Sequence, residues 1–384
     1  MDPWRPRVQR SQLSQCRDLF GFVAVVDLKL TDFRCFAAEA VAPHPEGLTV
    51  LRGPNGAGKS SVLEAVYWLA SGRSWRTSSR SALVRSGTDR AVVRADLMVG
   101  SRSVVVEAEL PQAGPARVQV NRQSLVRRGA MADVLRVVLF APDDLALVHG
   151  APAGRRDMLD DVLVGRHPRF DALEREVERT LRQRAALLQQ AGGRLDSAAT
   201  ATLDVWDARL ARAGTDLVEA RETLVADLAT PVAAAHRRIA GPGPQARMTY
   251  RRSWEGDLAA ALAGARAEDV RRRSTSVGPH RDDVDLWLDE RPARTHASQG
   301  EQRSLALALR LGTYHLAVAD GGPAPVLLLD DVFSELDEAR AEALVAELPA
   351  GQVLLTTAVD PPGPVVADLL LDVRDGAVVA EVSR

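Results

Sequence analysis

Gly53, Pro54, Asn55, Gly56, Ala57, Gly58, Lys59 and Ser60 supply three glycines that let a backbone turn tightly, then an ammonium and a hydroxyl. The order fits G-x-x-x-x-G-K-[ST], a loop whose backbone N–H groups converge on phosphate oxygens. Lys59 is placed to reach the β- and γ-phosphates of a nucleoside triphosphate and Ser60 to ligate Mg²⁺, with Ser61 next along the same turn. An apolar run at residues 48–51 leads in as a strand. Residues 61–70 lead out as a helix whose positive end adds to the field on an anion. Of the 49 Lys and Arg residues, only Lys29 and Lys59 are lysine. The compact ammonium in this loop therefore reflects chemistry rather than residue usage, since guanidinium is broad and planar.

Two carboxylates extend the site. Val326-Leu-Leu-Leu-Asp330-Asp331 is an apolar strand that ends in acid. In this Walker B arrangement Asp330 is delivered to the metal beside Ser60, and Asp331 sits where a general base orients an attacking water. Alone, the pair reads equally well as strand-end caps; a phosphate loop in the same chain favours the catalytic reading. About thirty residues earlier, Ser298-Gln-Gly-Glu-Gln302 opens a helix. Ser298 caps it, Glu301 completes a capping box, and Gly300 keeps the backbone approachable.

Strands and helices must carry these groups. Residues 23–30 read as a first strand and 31–36 as a turn. Residues 91–98, 103–110 and 117–120 alternate apolar and polar side chains and read as antiparallel strands. A β-meander beside a phosphate loop departs from the strict βα alternation of a small kinase. Residues 134–140 form another strand. Leu173, Val177, Leu181, Ala185 and Leu188 then recur at helical steps, Gly192 and Gly193 interrupt, and a second helix runs over 196–230. A helix of that size is about 54 Å long, a helical lobe or short arm. Further strands fall at 248–252, 284–288, 326–329 and 353–357, helices at 258–272, 299–318 and 338–348, and a last hairpin at 369–373 and 377–382. The expected division is a flexible extension at 1–22, an ATPase lobe at 23–150 and 246–384, and a helical lobe at 151–245.

Bulk properties exclude several classes. The 384 residues are 46% hydrophobic and 26% charged, as in a soluble globular protein, and the net charge is −2. Any nucleic-acid surface is thus a local basic face. Cys16 and Cys35 give neither a disulfide framework nor a metal spacing, which fits the cytoplasm. No apolar run approaches the ~20 residues of a membrane span.

The phosphate loop, the Ser298 motif, the Asp330-Asp331 strand and Ser334-Glu-Leu-Asp337 stand in the motif order of ABC-type ATPases. More narrowly, the chain resembles the RecF family in the SMC-like branch of those ATPases. Leu30-Thr-Asp-Phe-Arg34, Leu139-Phe-Ala-Pro-Asp-Asp-Leu145, Ser276-Val-Gly-Pro-His-Arg-Asp-Asp283 and Asp330-Asp-Val-Phe-Ser-Glu-Leu-Asp337 carry that likeness, from about residue 25 onward. The resemblance implies an α/β fold: an ABC-type P-loop ATPase lobe, mixed sheet plus antiparallel meander, with a helical second lobe. It also implies an ATP-dependent homodimer in which Ser298 closes on the γ-phosphate bound to the other subunit, with the 334–337 D-loop, Asp337 included, at the interface. Family members bind DNA at single-stranded gaps and ss/ds junctions, act with RecR and RecO, promote RecA loading and serve the SOS response.

Some positions depart from the pattern. Asp331 replaces the usual Glu, and its shorter side chain points to slow hydrolysis. No histidine follows the 353–357 strand, which leaves the switch position vacant or taken by Thr356 or Thr357. No Q-loop glutamine lies near Phe140, leaving Asp143 or Asp144 to stand in. For DNA the candidates are Arg73, Arg76 and Arg80, Arg155 and Arg156, and Arg271, Arg272 and Arg273, which would supply salt-dependent phosphate contacts. His280 and Arg281 suit either a structural turn or a place near nucleotide or DNA. Two other readings compete: the nucleotide-binding subunit of an ABC transporter, disfavoured by the helical insertion and the missing histidine, and a clamp gated by ATP in which hydrolysis hardly matters.

Overall fold

The computed structural model describes residues 22–125, 131, 134–358 and 365–380. The expected extension lies outside these residues except for Phe22, as do the last residues expected in the C-terminal hairpin. The chain forms two compact units, one of residues 1–142 and 313–384, the other of residues 143–312. Residues 246–312, grouped from sequence with the ATPase lobe, cluster here with the helices.

The first unit holds two six-stranded sheets. One is antiparallel, in the order β2-β1-β4-β5-β6-β7, built from β1 (Val23–Phe33), β2 (Phe36–Val41), β4 (Arg90–Val99), β5 (Arg102–Pro111), β6 (Arg117–Val120) and β7 (Gln123–Ser124). The other runs β15-β14-β3-β13-β12-β8, with β3 (Leu48–Arg52), β8 (Val137–Phe140), β12 (Val326–Leu329), β13 (Val353–Thr357), β14 (Leu369–Arg374) and β15 (Ala377–Ala380). All its pairings are parallel except β14 with β15. Helix α1 (Lys59–Ser71) packs on β8 and β13 of one sheet and on β4 and β5 of the other. It is therefore apolar nearly all round, with Val62, Leu63, Ala65, Val66, Trp68 and Leu69 buried. Continuous apolar runs such as Val326–Leu329 follow from the same arrangement, since central parallel strands are covered on both faces.

The first strand runs three residues beyond its expected end. Phe33 pairs with Phe36, both fully buried, so residues 34 and 35 form a tight hairpin and β2 follows where only a turn was expected.

The second unit contains α2 (Pro152–Arg166), α3 (Arg169–Gln190), α4 (Ser197–Ala240), β9 (Ala246–Arg251), α5 (Leu258–Arg272), β10 (Asp283–Leu288), β11 (Arg291–Pro292) and most of α6 (Gln299–Ala319). Helix α4 has 44 residues, about 66 Å, and continues ten residues beyond the expected end despite Pro231. A mid-helix proline costs about 3 kcal/mol. Burial of Val232, Ala235, His236 and Ile239 holds the last turns in place. Gly312 of α6 contributes, because a side chain there would lie 3.0 Å from the backbone N of Val232. The helix α7 (Glu338–Glu347) belongs to the first unit. Among the described residues no helix is long and apolar enough to cross a membrane.

Candidate nucleotide site

The loop between β3 and α1 is shaped by close approach. A side chain at Gly53 would meet the Val373 carbonyl at 2.1 Å, and Gly58, with φ 114°, would press one against Cys35 Sγ at 2.6 Å. Glycine is required at both places. Gly58 precedes the first turn of α1, whose free N–H groups carry the helix's positive end. A cavity of about 500 Å³ opens there. Asn55, Gly56, Gly58, Lys59, Ser60 and Ser61 line one side; Asp331 and Thr356 line another; Arg34, Cys35, Arg76, Ala82, Val84 and Ser86 complete it. Pro54 and Ala57 belong to the loop but not to the lining: Pro54 is exposed and Ala57 buried beneath it.

Lys59 is buried, and its ammonium donates to the carbonyls of Gly53 at 2.7 Å and Pro54 at 2.9 Å. Burial lowers its pKa, while Asp331 and Asp330 act in the opposite direction. The cation is thus held at the mouth of the loop by groups that a phosphate can replace.

Parallel pairing of β12 with β13 sets Leu329 beside Leu355, so Asp330 and Thr356 follow side by side. The Thr356 hydroxyl donates to Asp330 Oδ1 at 2.7 Å and accepts the Asp331 backbone N–H at 2.9 Å. Asp330 is buried and set back from the lining; Asp331, at φ 48°, turns into it. Ser60, Asp331 and Thr356 offer only oxygen donors to the cavity, the type that Mg²⁺ takes. Among the described residues no group of three or more His, Cys, Asp or Glu side chains is arranged to hold a metal. Mg²⁺ characteristically needs only one or two carboxylates together with substrate oxygens and water.

Sequence reasoning missed much of the far wall. Arg34 was visible only as part of a motif. Its guanidinium grips Glu64 through Nε at 2.8 Å and Nη2 at 2.5 Å, and donates to the Ala82 carbonyl at 2.8 Å. Arg76, a DNA candidate from sequence, lines this cavity and lies 3.5 Å from Glu64. The left-handed backbone at Arg34 (φ 55°) is the local signal of a constrained position.

The other sequence candidates fall elsewhere. Ser298 is exposed and forms the full capping box: its backbone N–H and hydroxyl donate to Glu301 Oε2 at 2.7 and 2.8 Å, and the Glu301 N–H returns to Ser298 Oγ at 3.3 Å. Gly300 lies in the first turn of α6. Asp337 caps α7 through the Arg340 N–H at 2.9 Å and pairs with the Arg340 guanidinium. Arg73 is half-buried, Arg80 donates to the Gly114 carbonyl, Arg271 and Arg272 share Glu268, and Arg273 ends α5 in a left-handed conformation.

Arg155 must be corrected as a DNA candidate. It is 3% exposed, chelates Asp283 at 2.7 and 3.0 Å, and donates to the Leu147 carbonyl. Arg156 is also turned inward, donating to the Asp282 carbonyl at 2.7 Å. Asp144 is taken up by Arg310 through two bonds, at 3.1 and 2.5 Å, which argues against a Q-loop stand-in.

The Gly278–Asp283 stretch is a tied turn. Arg221 donates to the Pro279 carbonyl while chelating Asp160; Tyr250 and the Ser253 N–H hold Asp282; His280 and Arg281 both bond the Thr275 carbonyl. Burial, with Arg281, Arg156 and Arg184 nearby, pushes the His280 pKa down to about 4, against the Thr275 carbonyl. Of the two roles open from sequence, these contacts support the structural turn.

Comparison with known proteins decides the family. The RecF/RecN/SMC N terminal domain matches residues 24–358. DNA replication and repair protein RecF of Beutenbergia cavernae is 43% identical, covering 87% of this chain and 94% of that protein. RecF of Streptomyces avermitilis is also 43% identical, covering 92% and 99%. The chain belongs to the RecF family. A solved structure of the recombination mediator RecF with ATP, from the RecFOR pathway, superposes with a TM-score of 0.86 at 25% identity, covering 94% of this chain and 99% of that one. An SMC head domain from Pyrococcus furiosus shares the fold alone, with a TM-score of 0.55 at 17% identity. The ABC-type ATPase fold expected from sequence is thus present, and RecF relatives over nearly the whole chain displace the transporter reading.

Proposed function

We propose that this RecF-family protein is a recombination mediator that binds Mg·ATP in the cavity between the Gly53–Ser60 loop and Asp331, and uses ATP to control its hold on DNA. The observation that carries the reading is the convergence of Lys59, Ser60, Asp331 and Thr356 on one cavity. The loop N–H groups, the α1 N-terminus and Lys59 receive the phosphates. Ser60 on the cavity lining and Asp330, set back behind it beside Thr356, are the residues that would hold Mg²⁺, which when bound neutralises charge on the phosphates. Asp331 orients the water, and its short reach makes turnover slow.

The solved RecF relatives are described with ATP and in the RecFOR pathway, which supports ATP as nucleotide and RecR and RecO as partners. ATP joins two copies, with Ser298, Gly300 and Asp337 at the junction. The assembled form holds gapped DNA and ss/ds junctions, and the half-buried Arg80 and the exposed Arg271, Arg272 and Arg273 contact phosphates. Binding to gapped, single-stranded and duplex DNA, with and without Mg·ATP, tests the reading. It expects ATP to strengthen binding to gapped DNA most; equal binding with and without ATP contradicts it.

A further inference from the structure

Glu64 follows Ser60 by four residues on α1, so the two share one face of the helix. It is fully buried, in a place where an unpaired carboxylate would be costly. Its partners are unusual in number. Oε2 accepts Arg34 Nε at 2.8 Å and lies 3.5 Å from Arg76 Nη1. Oε1 accepts Arg34 Nη2 at 2.5 Å and the Ser74 hydroxyl at 2.5 Å. One buried anion thus faces two guanidiniums, both of which line the cavity. Arg34 reaches on to the Ala82 carbonyl, so the same group ties the 74–82 loop to α1.

We propose that Glu64 is a positioning residue for nucleotide binding: it fixes Arg34 and Arg76 in the cavity wall so that their charge is delivered to the polyphosphate. A bidentate guanidinium–carboxylate pair sets orientation as well as distance. Two cations against one carboxylate leave the wall net positive, suited to a polyanion. This rests on the reading of the cavity as an ATP site.

The proposal makes a prediction opposite in sign to simple electrostatics. Glu64→Gln deletes a negative charge beside an anion site, and charge alone would tighten ATP binding. Positioning predicts weaker binding, by roughly tenfold, because the arginines lose their shared anchor. It also predicts that the loss is much smaller in an Arg34→Gln background, where only the longer contact with Arg76 is left for Glu64 to orient. ATP affinity would be measured by calorimetry on wild type, both single variants and the double variant, with thermal melting to establish folding. Weaker binding by folded Glu64→Gln and strong non-additivity with Arg34→Gln support the proposal. Unchanged or tighter binding by folded Glu64→Gln, or additive losses, overturns it. If Glu64→Gln does not fold, Arg34→Lys keeps the charge but loses the fork: weakened ATP binding supports the proposal and wild-type affinity overturns it. A wild-type protein that binds no ATP overturns both the proposal and the site reading beneath it.

Discussion

The Thr356 hydroxyl donates to Asp330 Oδ1 at 2.7 Å, joining the last turn-out of one parallel strand to that of its neighbour. The same oxygen receives the Asp331 N–H, so one side chain sets both the buried carboxylate and the backbone that aims the exposed one. Thr356, one of the residues left open for the missing histidine, is thus bonded to the acid pair. Thr356→Val keeps the shape and removes both bonds. Mg²⁺-dependent nucleotide affinity should fall roughly three- to tenfold and stability by about 1 kcal/mol. Titrating ATP binding against Mg²⁺, with denaturant unfolding alongside, checks both; wild-type Mg²⁺ dependence would remove this role for Thr356.

Asp330 is buried and Asp331 faces the cavity, so their amides should differ. Asp330→Asn is expected to weaken Mg²⁺-dependent ATP binding. Asp331→Asn should leave binding intact and slow hydrolysis at least tenfold, trapping the nucleotide-bound state. Single-turnover hydrolysis and equilibrium binding separate the two effects, and identical behaviour would dissolve the division of labour.

The fold's main strands were legible because burial on both faces makes them largely apolar: Val326–Leu329 is apolar throughout, and Leu48–Arg52 and Val353–Thr357 are broken only by Thr49, Arg52, Thr356 and Thr357. The strand Phe36–Val41 was not, because only its two ends are buried and the residues between carry no clear alternation. Within the site, the loop and the acid pair are local patterns. Arg34 with Glu64 and Thr356 with Asp330 are contacts across 30 and 26 residues, set by how strands and helices meet. Arg155 failed as a surface cation for the same reason, its partner Asp283 being 128 residues away.

His280 makes stability depend on pH. Its pKa is about 4 in the fold against an ordinary 6.5, so the unfolded chain binds the extra proton more readily. The contribution is whole above about pH 6.5 and is lost as pH falls toward 4. Urea unfolding followed across that range should show stability declining with acid, with a shallower decline in His280→Gln. Equal slopes in the two proteins would mean that other groups carry the effect.

Ser298 sits at the exposed start of α6, the position that the proposed dimer sets against a γ-phosphate held by another copy. In that proposal ATP favours the assembled form by mass action, and ADP lacks the bridging group. Ser298→Arg should abolish ATP-induced dimers while leaving ATP binding by the monomer nearly unchanged. Sedimentation in ATP·Mg²⁺, ADP·Mg²⁺ and no nucleotide distinguishes the cases, and a dimerising Ser298→Arg protein would refute the bridge.

Lys59→Arg bears on the claim that ties the site to DNA. A planar fork cannot take the place of the compact ammonium that Gly53 and Pro54 hold at the loop mouth. The decisive measurement is retention of gapped DNA by wild type and Lys59→Arg, each with and without Mg·ATP. The account predicts that ATP strengthens retention by wild type and has no effect on Lys59→Arg. Equal ATP-dependent retention by the two proteins would contradict it.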